Sequence, residues 1–145
     1  FTVMYLDLDG FKPVNDTLGH QAGDAVLRQV GARLASCLRT DDVIARLGGD
    51  EFAVIINPVP GKEPPHIDDI AARLITAVNE PIIISGRAVQ VGCSIGIASW
   101  PEHGGAVHQV LEHADQALYA AKRAGRNRAL AYKDLVNKAE ALRLV

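Results

Sequence analysis

The chain has 145 residues, 15 Lys+Arg against 17 Asp+Glu, a formal net charge of −2 and 48% hydrophobic residues. A chain of about 150 residues buries roughly 70% of its unfolded surface, so one domain can hold its own core without staples. The charge balance excludes a general nucleic-acid-binding surface. No apolar run reaches the length of a membrane span or signal peptide, and Cys37 and Cys93 form no Cys-x-x-Cys pair. The expectation is a cytoplasmic fragment with reduced thiols.

Phe1 to Leu6 is continuously apolar or β-prone, the pattern of a strand covered on both faces. A strand with no lead-in is expected in a piece of a larger protein. Gly10 to Gly23, with Pro13, Asn15 and Gly19, reads as a loop. From Asp24, a plausible N-cap, Leu27, Val30, Leu34 and Leu38 follow a helical period.

Asp42–Leu47 and Phe52–Ile56 flank Gly48-Gly49-Asp50-Glu51 and predict a hairpin. Asn57 to Pro65 is a Pro-rich surface loop. Ile67 to Val78 is a second amphipathic helix. Ile82–Ile84 and Val89–Ala98 predict a second hairpin around Ser85-Gly86-Arg87. Val107 to Ala121 is a third helix, with Gly125 as a C-cap signal. Ala129–Tyr132 predicts a short strand, and residues 133–145 a polar helix or linker leading toward another domain. The order β-α-β-β-α-β-β-α-β predicts an α+β fold with helices on one face of a sheet.

Asp7 and Asp9 end the first strand, and period-two alternation points both to one face. Acids at a strand end also enter solvated loops without further purpose, and Asp50 and Glu51 also read as a charged turn. If the two strands are neighbours, the four carboxylates converge. Their repulsion is relieved only by protonation or a divalent cation. An oxygen-only set without His or Cys favours Mg²⁺ or Mn²⁺, the ions of phosphoryl and nucleotidyl transfer. Zinc is disfavoured, because His103, His108 and His113 are spaced by five and share no helix face.

Gly48 and Gly49 let backbone approach a nucleotide. Lys12, Lys122 and Arg126 can hold phosphates, although cations at a helix C-terminus are also favoured by its dipole. Asn15 and Asp24 bracket the Gly-containing loop. An Asp carboxylate accepts from guanine N1–H and N2 together, a donor pair that adenine lacks.

Arg46-Leu47-Gly48-Gly49-Asp50-Glu51-Phe52, with Asp7-Leu8-Asp9-Gly10-Phe11-Lys12-Pro13-Val14-Asn15-Asp16 upstream, resembles the GGDEF domain of the diguanylate cyclase family. Thr17-Leu18-Gly19-His20, Gly23-Asp24, Ser94–Ala98, Ala114–Lys122 and Gly125-Arg126-Asn127 follow in the family's order, so the resemblance spans residues 1 to about 132. It starts roughly thirty residues inside the family's domain, after a helix and an L-T-x-L-x-N-R-type segment that have no counterpart in this sequence.

The resemblance implies a ferredoxin-like, palm nucleotidyl cyclase fold with a central, mostly antiparallel sheet flanked by helices. It implies condensation of two GTP into cyclic di-GMP, releasing two pyrophosphates. On the matching positions, Asp7, the Leu8 carbonyl and Asp50 resemble the metal ligands, and Glu51 the acid that assists 3′-hydroxyl activation. Asn15 and Asp24 resemble the guanine readers, and Lys12, Lys122 and Arg126 the phosphate contacts. Each domain holds one GTP, so the resemblance implies a dimer of GGDEF domains. Arg39-Thr40-Asp41-Asp42 fits the family's R-x-x-D inhibitory site, at which Arg39 and Asp42 would hold cyclic di-GMP. The competing expectation is a non-catalytic GGDEF domain that binds GTP or cyclic di-GMP as a receiver for an attached domain.

Overall fold

The computed structural model describes residues 1–143. Its elements are β1 (Thr2–Asp9), α1 (Phe11–Leu18), α2 (His20–Ser36), β2 (Val43–Gly48), β3 (Glu51–Ile56) and α3 (Ile67–Asn79). They continue as β4 (Ile82–Ile84), β5 (Arg87–Val89), β6 (Gly92–Ser99), α4 (Val107–Arg123), β7 (Ala129–Ala131) and α5 (Tyr132–Arg143). The main sheet runs β2-β3-β1-β6-β7, antiparallel except for the parallel pair β6–β7, and β4–β5 is a separate hairpin.

β1 is central, and its two sets of alternating side chains are both covered. Met4, Leu6 and Leu8 join the core made with α2 and α3, through residues such as Val30, Leu34 and Leu74. Val3 on the other face packs with Ala98, Val110 and Ala114, beneath α4. The helices therefore lie on both faces, where one face was expected. Gly96 of β6 explains how α4 sits so close. A Cβ there would lie 2.1 Å from the Ala114 carbonyl oxygen and 2.2 Å from the Leu118 nitrogen.

Three local expectations change. Residues 11–18 are helical rather than loop: Gly10 (φ +77) and Gly19 (φ +90) punctuate a short helix. Pro13 is tolerated in its first turn, where backbone N–H groups have no intrahelical partner. Asp24 is no N-cap; Gly19 takes that position, and Asp24 is an exposed residue inside α2. The stretch 89–98 divides into β5, which stays with β4, and β6, which enters the main sheet. Residues 132–143 are helical with no buried residue; the last two residues of the expected tail, 144 and 145, lie outside the described residues.

Candidate functional site

Strand register assembles the acids. Asp7 stands opposite Glu51 of β3 on one side and Ser94 of β6 on the other. Between β2 and β3 the chain reverses at Gly49-Asp50, with a register shift between Arg46 and Gly48. Gly48 and Gly49 have φ +152 and +52, which glycine adopts freely. Arg46 Nε braces the turn on the Gly49 carbonyl at 2.9 Å. The Leu8 N–H donates to the Asp50 carbonyl at 3.1 Å, tying the turn to the end of β1.

The electrostatics follow from this crowding. Burial pushes the Asp50 carboxyl above its ordinary value, and the charge of Asp7 and a hydrogen bond with it add to the rise. Lys122 Nζ ion-pairs with Asp7 and partly opposes the effect. Tyr5, on the same face, is pushed up by burial and then by the charges of Asp115 and Glu51. The region is thus negative beyond what one ammonium offsets. A cleft of about 340 Å³ opens here between sheet and α4, lined by Asp7, Glu51, Asp115, Gln116, Tyr119 and Lys122. A cleft of similar size, about 360 Å³, lies at the opposite end of β6 beside Ser99 and His103 and holds none of the four sequence-predicted acids.

The end of α4 places both basic candidates. The Gly125 N–H donates to the Lys122 carbonyl and the Arg126 N–H to the Ala121 carbonyl, at 3.4 and 3.1 Å. That is the paired bonding of a glycine-ended helix. Gly125 (φ +127) thus serves as the expected stop signal. Arg126 Nε then lies 3.9 Å from Asp9 Oδ1.

Among the described residues, Asp7, Asp9, Asp50, Glu51, Lys122 and Arg126 share this end of the sheet. Lys12 and Asn15 lie on α1 and Asp24 on α2, with no ion pair to the acids. Gly23 carries no side chain where Asn15 leans over α2: a Cβ would meet Asn15 Oδ1 at 2.2 Å. Arg39 and Asp42 stand apart, on the turn before β2, with Arg39 Nε 3.9 Å from Asp42 Oδ2. Asp42 is turned inward, its side chain 2% exposed, and its Oδ1 is buried without a hydrogen-bond partner. Sequence reasoning gave no role to Ser94, Asn127, Asp115 or Tyr119. The available signal was Ser94, a hydroxyl set between Cys93 and Ile95 in an otherwise apolar stretch.

The donor chemistry fits a hard divalent cation: two crowded carboxylates and a backbone carbonyl, all oxygen. Among the described residues no three His, Cys, Asp or Glu side chains form a metal-binding group. A complete shell therefore needs the Leu8 carbonyl and oxygens brought by a ligand, as is usual for Mg²⁺ sites that keep substrate phosphates.

The family model for the diguanylate cyclase GGDEF domain matches residues 1–128. The chain is 43% identical over 127 residues to the bifunctional diguanylate cyclase/cyclic di-GMP phosphodiesterase MucR of Pseudomonas aeruginosa, covering 88% of this chain and 18% of MucR. It is 41% identical over 136 residues to the cyclic di-GMP phosphodiesterase PdeR of Escherichia coli, covering 94% of this chain and 20% of PdeR. The chain thus spans about a fifth of these relatives. The crystal structure of the GGDEF domain of TpbB from Pseudomonas aeruginosa superimposes with a TM-score of 0.83 at 41% identity, covering 90% of this chain and 80% of that one. The expected palm cyclase architecture is borne out. With the signature on the β2–β3 turn and the family model matching residues 1–128, the chain belongs to the GGDEF, or diguanylate cyclase, family.

Proposed function

We propose that this domain is one half-site of a diguanylate cyclase, binding one GTP and condensing it with the GTP of a second, facing GGDEF domain. The observation that carries the reading is geometric: the Leu8 N–H bond to the Asp50 carbonyl ties the signature turn to the end of β1 and brings Asp50 against Asp7, which Lys122 ion-pairs. Asp7, Asp50 and the Leu8 carbonyl would hold Mg²⁺ or Mn²⁺. When bound, the ion neutralises phosphate charge and favours the attacking alkoxide.

The remaining steps belong to the chain. Lys122 and Arg126, with Lys12 from α1, hold the phosphates. Asn15 and Asp24 read the guanine edge, and the bare backbone at Gly48 and Gly49 leaves room for the nucleotide. Glu51 accepts the proton of the incoming 3′-hydroxyl. The 3′-oxygen forms a bond to the α-phosphorus, the bond to the β-phosphate's bridging oxygen breaks, and pyrophosphate leaves. The same step in the facing domain closes the ring, so two GTP give one cyclic di-GMP and two pyrophosphates. Arg39 and Asp42 form a separate site for the product: Arg39 offers an exposed guanidinium, and the inward Asp42 carboxylate, accepting from the Arg39 N–H at 2.9 Å, braces the turn that carries it. The reading assigns the reaction to the cytoplasm, where GTP is.

A second reading has its own support. PdeR, a phosphodiesterase by name, contains a segment 41% identical to this chain, which supports a receiver domain that binds nucleotide without turning it over. Incubating the full-length protein with GTP and Mg²⁺ separates the two. Cyclic di-GMP and pyrophosphate in a 1:2 ratio support the cyclase; bound, unconverted GTP supports the receiver.

A further inference from the structure

The D-x-D pair that ends β1 divides its work. Asp7 faces Lys122 and Asp50, whereas Asp9 is engaged with the loop after α4. Asp9 Oδ2 accepts from the Ser94 hydroxyl at 2.7 Å and from the Asn127 N–H at 2.9 Å. Asn127 in turn accepts from the Cys93 N–H, through its side-chain Oδ1 at 3.1 Å. The Asp9 side chain is 12% exposed and Ser94 is fully buried, so the Asp9–Ser94 bond is partly buried, whereas the Asn127 N–H bond lies at the surface. Gly92 leaves the space: a Cβ there would lie 2.9 Å from Asn127 Oδ1.

The backbone shows what this network holds. Arg126 and Asn127 are consecutive non-glycine residues at φ +64 and +50. Such residues keep left-handed geometry only where their surroundings over-determine it. Here the surroundings are Asp9, Ser94 and Cys93 on one side and the bonded end of α4 on the other. With Oδ2 occupied twice, Asp9 turns its remaining oxygen, Oδ1, toward Arg126 Nε.

We infer that Asp9, Ser94 and Asn127 form a lock that positions Arg126 for the terminal phosphates of the bound nucleotide, so that Asp9 is a positioning residue and not a metal ligand. The inference rests on the nucleotide-binding reading above. Arg126 itself is 59% exposed at its side chain, and four rotatable torsions set the direction of its guanidinium. Without the lock it would sample solvent instead of one direction.

The test is a binding cycle on the full chain with Mg²⁺ and a GTP analogue bearing a methylene between the α- and β-phosphorus, which cannot turn over. GMP, which lacks the terminal phosphates, is the reference. Asp9→Ala should weaken the analogue about tenfold, the effect of one charge-assisted contact, and GMP by less than twofold. Arg126→Ala should do the same, and the double variant should be no weaker than either single one. Asn127→Gly, which keeps the positive φ but loses the anchor on Cys93, should reproduce the Asp9→Ala pattern. It decides the question if Asp9→Ala does not fold.

Losses that multiply in the double variant, or that fall equally on the analogue and GMP, overturn the lock. A parent protein that binds the two ligands equally also overturns it, since Arg126 then meets no terminal phosphate. A parent that makes no cyclic di-GMP yet shows the closed cycle removes the cyclase reading alone and leaves the lock standing.

Discussion

Lys122, in the last turn of α4, ion-pairs with Asp7 at the end of β1, 115 residues earlier in the chain. The pair joins the sheet to the helix beneath which the cleft opens. It also supplies part of the positive charge that the carboxylates require.

The first expectation concerns the acids. Asp7→Ala and Asp50→Ala should each abolish cyclic di-GMP formation, a loss of at least about 100-fold for a metal-dependent step. Thermal melting of Asp50→Ala should be unchanged or higher, because a crowded carboxylate is removed. Wild-type turnover of either variant at saturating Mg²⁺ would discard the metal assignment.

A second concerns pH. The Asp50 carboxyl in the folded protein lies above its ordinary 3.8, raised first by burial and then by Asp7. Between the two values the native state binds more protons than the unfolded one, so stability falls as pH rises through that interval. Asp50→Asn should flatten the slope in denaturant melts taken without metal. Mg²⁺ affinity should rise over the same interval, as the ion needs the deprotonated pair. A metal-free stability that climbs there would contradict the crowding.

Base choice gives a third. Asp24 is exposed inside α2 and caps nothing, so Asp24→Ala should leave the melting temperature unchanged. GTP binding should weaken about tenfold, with ATP binding hardly altered, since only guanine offers the paired donors. Equal changes for both nucleotides would remove Asp24 from the site.

Product feedback gives a fourth. Arg39→Ala should leave initial rates within about twofold while abolishing noncompetitive inhibition by cyclic di-GMP, because Arg39 stands apart from the acids and, on the proposed reading, its exposed guanidinium is what would meet the product. Undiminished inhibition would reduce Arg39 and Asp42 to an ordinary surface pair worth about 0–1 kcal/mol.

Packing gives a fifth. Gly96→Ala inserts a methyl against the backbone of α4, so it should destabilise by about 1–3 kcal/mol or more. By moving α4 it should also displace Lys122 and lower turnover. A variant as stable as the parent would mean α4 is not held so close.

Much of this was legible in the residues. The hairpin, α3 and α4 followed from periodicity, and the signature marked the acids. α1 was not legible, because Gly10, Pro13, Asn15 and Gly19 together have loop composition. Only the placement of Pro13 in a first turn, with positive-φ glycines outside, makes the segment helical. Asp24 has the chemistry of a cap, but α2 begins four residues earlier, at His20. The continuous apolarity of β1 did signal cover on both faces, yet the element order alone suggested one. The bonds among Asp9, Ser94 and Asn127 depend on strand pairing and on a turn more than thirty residues beyond Ser94, and no local pattern encodes them.

The two ends of the sheet have unlike duties. Phe1 stacks on Trp100 at 5.8 Å, and α5 leaves β7 where Ala131 pairs with Ile97. Both lie at the edge away from Asp7 and Asp9. A neighbour joined through residue 1 or through α5 would therefore grip the domain from behind, like a handle, with the acid-bearing end pointing outward. Such a handle need not deform the acid-lined cleft to change where it points. On the cyclase reading proposed above, swinging the whole unit would bring two such ends together or hold them apart.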